Sequence, residues 1–365
     1  MPISLFVFTL ILLFGLLSYY LIFSCLTLPQ ELPKQKVFIS GVSIIICAKN
    51  ELENLRQNIP AWLNQQQVKF ELIIVNHQST DGSKAYLDEL KKQEDRLRVV
   101  HIESDQTSVL KGKRFPLSVG VENAQYDYLV LSDADCYPNS LNHLFQITKP
   151  LARGKDIVLG YSPYESRPGF VNRLVHYETT ITALLYLSFA RIGLPYMGVG
   201  RNLAYKKSLL SKDVFDESNS TLGGDDDLII GKIANKKNTA ISIHPETLVY
   251  SYPPENFSQW IKQKQRHYST ARHYDYFKIL LIGGFAGFNF LFYISLLILL
   301  TKINPLIVLG LYLSKLFLFI MFNYRNLKVL KMLELIPRVI YLDIVWIIFL
   351  VYNHLKALKA NNGWS

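Results

Sequence analysis

The sequence predicts an α/β fold: a mostly parallel sheet with helices on both faces, and transmembrane helices at both ends of the chain. Three observations lead there. Short β-branched apolar runs alternate with helix-like stretches between residues 42 and 133. Residues 3–28 form one uncharged apolar segment. After residue 278 hydrophobicity returns in three further segments.

The strands come first. VSIIIC (Val42 to Cys47), ELIIVN (Glu71 to Asn76), RVVHI (Arg98 to Ile102) and YDYLVLSD (Tyr126 to Asp133) are short, rich in β-branched residues and bounded by polar turns. Between them, ELENL and AYLDELKKQ carry helical spacing. Ligands of such open sheets sit beyond the carboxyl ends of the strands. Ala48 to Glu51, Asn76 to Asp81 and Asp133 to Asp135 all fall at such ends. Three polar clusters on one sheet edge predict a site there.

The apolar ends follow from length. A helix of about 20 residues spans the roughly 30 Å hydrocarbon core. Residues 3–28 are too long and too poor in basic residues for a secretory signal, and LTLPQELP is a poor cleavage site, so an uncleaved anchor is expected. Ile279 to Leu300 and Pro305 to Phe322 read as spans, and Val339 to Tyr352 as a shorter span or an interfacial helix. Lys262, Lys264, Arg266, Arg272 and Lys278 precede the second span, and Arg325, Lys328, Lys331 and Arg338 separate the third from the fourth. Both clusters belong on the cytoplasmic side, which places the region between residues 29 and 277 in the cytoplasm of a bacterial-type inner or plasma membrane. The expected division is an anchor at 1–28, a cytosolic domain at 29–277 with an interfacial helix near 255–277, and a membrane region at 278–365. Gly169 to Pro195 is apolar and helix-capable but interrupted by Arg173, His176, Glu178 and Arg191, which fits an interfacial helical region or a buried core helix equally.

Composition excludes some classes. Half the residues are hydrophobic and 19% are charged, below the roughly 25% of soluble domains. The formal charge of +10 fits an anionic membrane face or an anionic substrate, and no signature of a nucleic-acid binder accompanies it. The three cysteines, Cys25, Cys47 and Cys136, form no CxxC pair and no disulfide framework.

The chemistry sits in LSDADCYP. Asp133 and Asp135 on a strand-to-loop bend can point the same way, and their repulsion is relieved by a hard divalent cation such as Mg²⁺ or Mn²⁺, which favours carboxylate oxygens. In GGDDDLI, three adjacent acids raise one another's pKa, which suits a general base; a solvated helix N-terminus reads the same way.

SIIICAKNELENL, IIVNHQSTDGS, KGKRFPLSVGVENAQYDYLVLSDAD, GVGRNLAYKK, GGDDDLI and QKQRH follow one another between Ser43 and His267. Together they resemble the family 2 inverting glycosyltransferases of GT-A fold, especially membrane-embedded members such as ceramide glucosyltransferases and polysaccharide synthases. The resemblance implies that Ala48, Asn50 and Glu51 line the nucleotide, and that Asn76 meets the base where the family usually has Asp. It implies nucleotide-sugar contacts for Asp81, Lys113, Asp133, Gln263 and Arg266, and metal ligation by Asp135 with Asp133. The acceptor side falls to Gly200, Arg201 and Asn202. The base is Asp225 if the motif is aligned on Leu228, and Asp226 if it is aligned on the acidic pair. His267 stands where the family often has Trp. The expected activity is hexosyl transfer from a nucleotide sugar, with a UDP-sugar as the expected donor, to a lipid-linked acceptor in glycolipid synthesis. A processive polysaccharide synthase is the alternative, and an inactive membrane scaffold is the alternative of another class.

Overall fold

The structure is a computed structural model, and the description covers residues 2–30, 32, 37–103, 113–210, 225–270 and 276–359. The chain folds as two compact units. One comprises residues 29–165 and 193–253, and the other residues 1–28, 166–192 and 254–365.

The first unit is built on a seven-stranded sheet. Its strands are β1 (Val42–Ala48), β2 (Phe70–His77), β3 (Leu97–Ile102), β4 (Tyr128–Asp133), β6 (Ile157–Gly160), β7 (Leu203–Lys206) and β8 (Thr239–Ser242), with β5 (Cys136–Pro138) and β9 (Val249–Ser251) pairing apart as a small antiparallel ribbon. The order is β3-β2-β1-β4-β7-β6-β8. The β3, β2, β1 and β4 half is parallel, and β7 runs antiparallel between β4 and β6. All four strands expected from sequence form, within two residues of the expected bounds. They are runs of Ile, Val and Leu without alternation, because both faces are covered. Helices α2 (Leu52–Leu63), α3 (Ser83–Lys91), α4 (Arg114–Asn123) and α5 (His143–Ala152) supply the cover. On α4, Gly120 sits so close to the sheet that a Cβ there would lie 2.5 Å from Ile45 Cγ2, so the helix approaches the strand at a distance that glycine permits. On α2, Trp62 is fully buried and its Nε1–H donates to the Cys136 carbonyl at 3.0 Å. Truncating such a core indole costs about 3–5 kcal/mol.

The second unit gathers the long apolar helices: α1 (Pro2–Ser24), α9 (Tyr276–Leu300), α10 (Pro305–Val329) and α11 (Val339–Lys359), together with α6 (Phe170–Arg191) and α8 (Phe257–Thr270). Among the described residues, four stretches are long and apolar enough to cross a membrane: Ile3–Thr27, Tyr276–Leu300, Pro305–Val329 and Leu333–Asn353. The chain is a membrane protein. Helix α6 is buried along most of its length. Its Glu178 pairs with Lys264 of α8 at 2.5 Å, both nearly excluded from solvent. The indole of Trp260 stacks on Phe349 of α11 with centroids 3.8 Å apart. One polar cluster lies among the apolar helices. Lys315 of α10 pairs with Asp343 of α11, which also accepts hydrogen bonds from Tyr177 Oη at 2.8 Å and from Tyr293 Oη. Sequence marks Lys315 and Asp343 as the exceptions in their segments; the structure makes them one ion pair.

Candidate active site

The site grows out of strand register. Ala48 of β1 pairs with Asn76 of β2, Cys47 with Asp133 of β4, and Asn76 with His101 of β3. Three polar turns therefore leave the sheet at one level. They are laced together by backbone donors. Asn50, with φ of 57°, donates its N–H to Ser79 Oγ at 2.9 Å, and its Oδ1 accepts from Thr80 N–H at 2.8 Å. Asn tolerates this left-handed conformation because its short side chain bonds locally.

Asp81 spans two helix starts. Its Oδ2 accepts from Leu52 N–H at 2.8 Å, and its Oδ1 accepts from Ser83 N–H and Oγ–H at 3.1 and 2.6 Å. The upward push of burial is outweighed by these bonds, so the carboxyl stays below its ordinary range. The structure thus gives Asp81 a capping role at α2 and α3.

Asn76 is buried, and its amide orientation is set by a relay. Asp88 accepts from His101 Nε2 at 2.9 Å, which leaves His101 Nδ1 to accept from Asn76 Nδ2 at 3.0 Å. The Asn76 Oδ1 that remains is buried with no hydrogen-bond partner. A buried acceptor without a partner is costly, and a ligand N–H would satisfy it.

The acidic pair follows. Asp133 ends β4 and is ion-paired with Lys113, which precedes α4. Asp135 Oδ2 accepts from Ser251 Oγ at 3.1 Å, and its Oδ1 accepts from the Cys136 thiol at 3.2 Å. Helix α2 fixes the bend, since Asn58 Nδ2 donates to the Ala134 carbonyl at 2.8 Å. One ligand atom each from Asp133, Asp135 and Cys136 lie within 4.8 Å of one another. Burial, then the neighbouring Asp133, pushes the Asp135 carboxyl up. Glu51 is raised too, by burial against the pull of its Asn54 hydrogen bond, with Asp135, Asp133 and Asp81 adding to the rise. Three carboxylates, Glu51, Asp133 and Asp135, thus meet at this edge, where burial and then neighbouring carboxylates raise Glu51 and Asp135. Two hard carboxylates fit Mg²⁺ or Mn²⁺. The Cys136 thiol is pushed well up by burial and by Asp135 and Asp133, so it stays protonated and acts as a donor to Asp135.

Arg201 lies 4.4 Å over the Tyr164 ring and donates to the Ser162 carbonyl at 3.2 Å. Burial pulls its pKa down, but Tyr164, Cys136 and Asp135 more than offset that, so it is a permanent cation near the acidic pair. Asn202 is fully buried and its Nδ2 donates to the Tyr161 and Thr247 carbonyls at 2.7 and 2.8 Å, which anchors the Gly200–Asn202 turn.

The first unit therefore brings together Ala48, Asn50, Glu51, Asn76, Asp81, Lys113, Asp133, Asp135, Gly200, Arg201 and Asn202. Asp225 and Asp226 open α7 (Asp225–Ile233) in the same unit, but their side chains lie outside the described residues. Gln263 and Arg266 belong to α8 of the other unit; Gln263 is half-buried, and the side chain of Arg266 lies outside the described residues. Sequence reading missed Ser251, His101, Asp88 and Asn58. Asn58 alone left a trace, as an amide on the apolar face of α2 beside Leu55, Ile59 and Trp62.

Comparison with known proteins now fits this geometry. The pattern of Glycosyl transferase family 2 matches residues 43–214, and that of Glycosyl transferase family group 2 matches residues 133–322. The chain is a family 2 glycosyltransferase. Poly-beta-1,6-N-acetyl-D-glucosamine synthase of Staphylococcus epidermidis is 30% identical over 97 residues, 27% of this chain and 22% of that protein. The matched stretch thus spans about a fifth of that relative's length. An uncharacterized glycosyltransferase of Haemophilus influenzae is 32% identical over 59 residues, 16% of this chain and 18% of that protein. Among solved structures, the mannosyltransferase PcManGT from Pyrobaculum calidifontis, in complex with GDP-Man and Mn²⁺, superposes with a TM-score of 0.60 over 99% of both chains at 16% identity. That likeness shows a shared GT-A fold.

Proposed function

We propose that this glycosyltransferase moves a hexose from a nucleotide sugar to a lipid-linked acceptor at the cytoplasmic membrane face, with inversion at the anomeric carbon. The observation that carries the donor half is the level set of Asn76, Asp133 and Asp135 at the carboxyl edge of a parallel sheet. Asn76 Oδ1 accepts the ring N–H of the base; uracil supplies one, and guanine does so equally. A UDP-sugar is the proposed donor, and the GDP-Man bound by PcManGT makes a GDP-sugar the comparison to run beside it. Ala48, Asn50 and Glu51 line the nucleotide, Asp133 meets the sugar, and Lys113 passes from Asp133 to a phosphate when the donor arrives.

Asp133 and Asp135 would hold a divalent cation, which supplies charge neutralisation for the diphosphate. Asp225 or Asp226 takes the proton of the acceptor hydroxyl as that oxygen attacks the anomeric carbon. The new bond is acceptor oxygen to anomeric carbon, and the bond that breaks joins that carbon to the phosphate oxygen. The nucleoside diphosphate leaves with the electron pair. Gln263 and Arg266 are assigned to its phosphates, and Gly200 and Arg201 to the acceptor side, with Asn202 holding their turn. Four membrane-length helices in the same chain support an acceptor in the bilayer.

The named relative from Staphylococcus epidermidis favours a second reading, a processive polysaccharide synthase. Membranes containing the protein, radiolabelled UDP- and GDP-sugars and Mn²⁺ separate the two. Label in a small lipid that is lost in Asp225→Asn or Asp226→Asn supports the proposal and names the base. Label in polymer supports the synthase. Nucleotide-sugar binding without transfer to either fraction sinks both.

A further inference from the structure

The membrane unit contains a polar cavity lined by none of the residues assigned above to the transfer reaction. It lies where the start of α6 meets the 3₁₀ turn Leu333–Arg338 that leads into α11, and its volume is about 230 Å³. Three guanidinium groups line it, Arg167, Arg173 and Arg338, with Asn172 and His176 buried in its wall. Glu334 is its one acidic group, 3.6 Å from Arg338. Among the described lining residues, arginines outnumber acidic groups three to one.

The backbone adds to the field. Helix α6 is 22 residues long and starts beside the cavity, so the positive end of its dipole lies there. Gly169, at its N-cap, has φ of +119° and ψ of 160°, a conformation open essentially to glycine alone, and a Cβ there would meet nothing within 4 Å. The turn is held open by backbone choice and not by crowding.

The rim is apolar. Phe170 is 48% exposed, Ile340 51% and Leu333 37%. The Phe170 ring stacks on Tyr341 of α11 with centroids 6.4 Å apart, which joins the α6 start to the membrane-length helix. Arginine forks match phosphate oxygens in pairs. A cavity this size, below the few hundred Å³ of a drug-sized site, suits a headgroup and excludes a nucleotide sugar. Arginines lining a cavity in the unit that holds the membrane-length helices match an amphiphile whose anionic end is a phosphate.

We propose that this cavity binds the phosphate headgroup of a membrane lipid through Arg167, Arg173 and Arg338. The shared chemistry has two sources: a terminal phosphate on a lipid carrier, or the phosphodiester of bulk anionic phospholipid. The site stands whether or not the sugar acceptor is itself a lipid.

The test uses the full-length protein in phosphatidylcholine nanodiscs doped with either a polyprenyl monophosphate or phosphatidylglycerol, with bound lipid counted by native mass spectrometry. Arg173 is exposed on the helix surface, so Arg173→Gln leaves the fold in place; Arg338→Gln is the second variant, and Arg325→Gln removes one exposed charge outside the cavity. Thermal unfolding midpoints in the same nanodiscs check that each variant is folded. The expected result is a roughly tenfold loss of phosphate-lipid affinity in each cavity variant and none in Arg325→Gln. Loss confined to the polyprenyl monophosphate assigns the site to a carrier lipid, and loss with phosphatidylglycerol as well assigns it to bulk phospholipid. An equal loss in Arg325→Gln, or no preference of the wild type over phosphatidylcholine, overturns the proposal.

Discussion

Two lysine–aspartate pairs in this chain have opposite fates. Lys113 and Asp133 meet at the sheet edge, with side chains 34% and 38% exposed. Lys315 and Asp343 meet among apolar helices, at 1% and 8%. The first pair is cheap to open, because water receives both charges and the net worth of such a pair is at most about 1 kcal/mol. It can hand Asp133 to a cation and Lys113 to a phosphate. The second has no such exchange. Tyr177 and Tyr293 satisfy the remaining oxygens of Asp343, and Lys315 Nζ donates to Tyr293 Oη at 3.0 Å, so the cluster is closed. Burial decides which of two similar pairs can take part in chemistry and which can only fix a packing arrangement.

The comparison breaks most sharply at Asp135. In Asp135→Asn we expect transfer to fall about a thousandfold, roughly 4 kcal/mol of lost stabilisation. The same variant should melt no lower than wild type in EDTA. The Asp135 carboxyl is raised in the folded protein, so its ionised form opposes folding at neutral pH, and removing the charge removes that penalty. A transfer rate with Mn²⁺ and a melting curve without it give both halves. Melting well below wild type would make Asp135 a structural residue.

The buried pair comes next. Lys315→Met should destabilise the membrane unit by about 3 kcal/mol or more, because it strands the Asp343 charge. Adding Asp343→Leu should recover most of that loss. Thermal inactivation in detergent micelles reads both variants. If the double variant is no better than the single, the two residues are not coupled.

Lys315 and Asp343 are visible in the sequence as isolated charges and Lys113 and Asp133 as members of charged motifs, yet neither pairing is. Lys315 and Asp343 stand 28 residues apart in different helices, and only helix packing joins them. The parallel strands were legible because a sheet covered on both faces needs continuous apolar runs, and the site edge because polar turns follow each run. The orientation of Asn76 was not, because it depends on His101 and Asp88, whose side chains carry no motif. The affiliation of α6 was not legible either. Its Leu, Val and Ile residues suit a globular core and a membrane-proximal helix alike, and periodicity cannot distinguish them.

A third kind of ionisable group sharpens the comparison, one that folds in its neutral form. His143 is fully buried, edge-on to Trp62 with centroids 5.5 Å apart, and burial pushes its pKa down from 6.5 to about 3. The unfolded chain then binds the proton first. Stability from this residue is complete above pH 6.5 and falls as pH drops towards 3. At pH 5 the loss is about 2 kcal/mol. Unfolding midpoints against pH should show that slope in the wild type and a flatter one in His143→Leu.

The smallest effect is expected at His101. In His101→Ala the amide of Asn76 is no longer held, and the donor KM should rise about tenfold with kcat nearly unchanged. Steady-state kinetics with varied nucleotide sugar reads it. A fall in kcat alone would remove Asn76 from the base contact.

The catalytic unit is interrupted. Its chain leaves at residue 165 and returns at residue 193, and the intervening helix belongs to the other unit. During synthesis, every strand of the sheet has been made once residue 251 emerges. Helix α6 has then already been produced, but α9, α10 and α11, which complete its unit, have not. The nascent chain must hold this 22-residue helix with α1 already made but α11, its other packing partner, still to come. A fragment cut after residue 253 keeps both α1 and α6 without the helices that complete their unit, and it will need detergent to stay in solution.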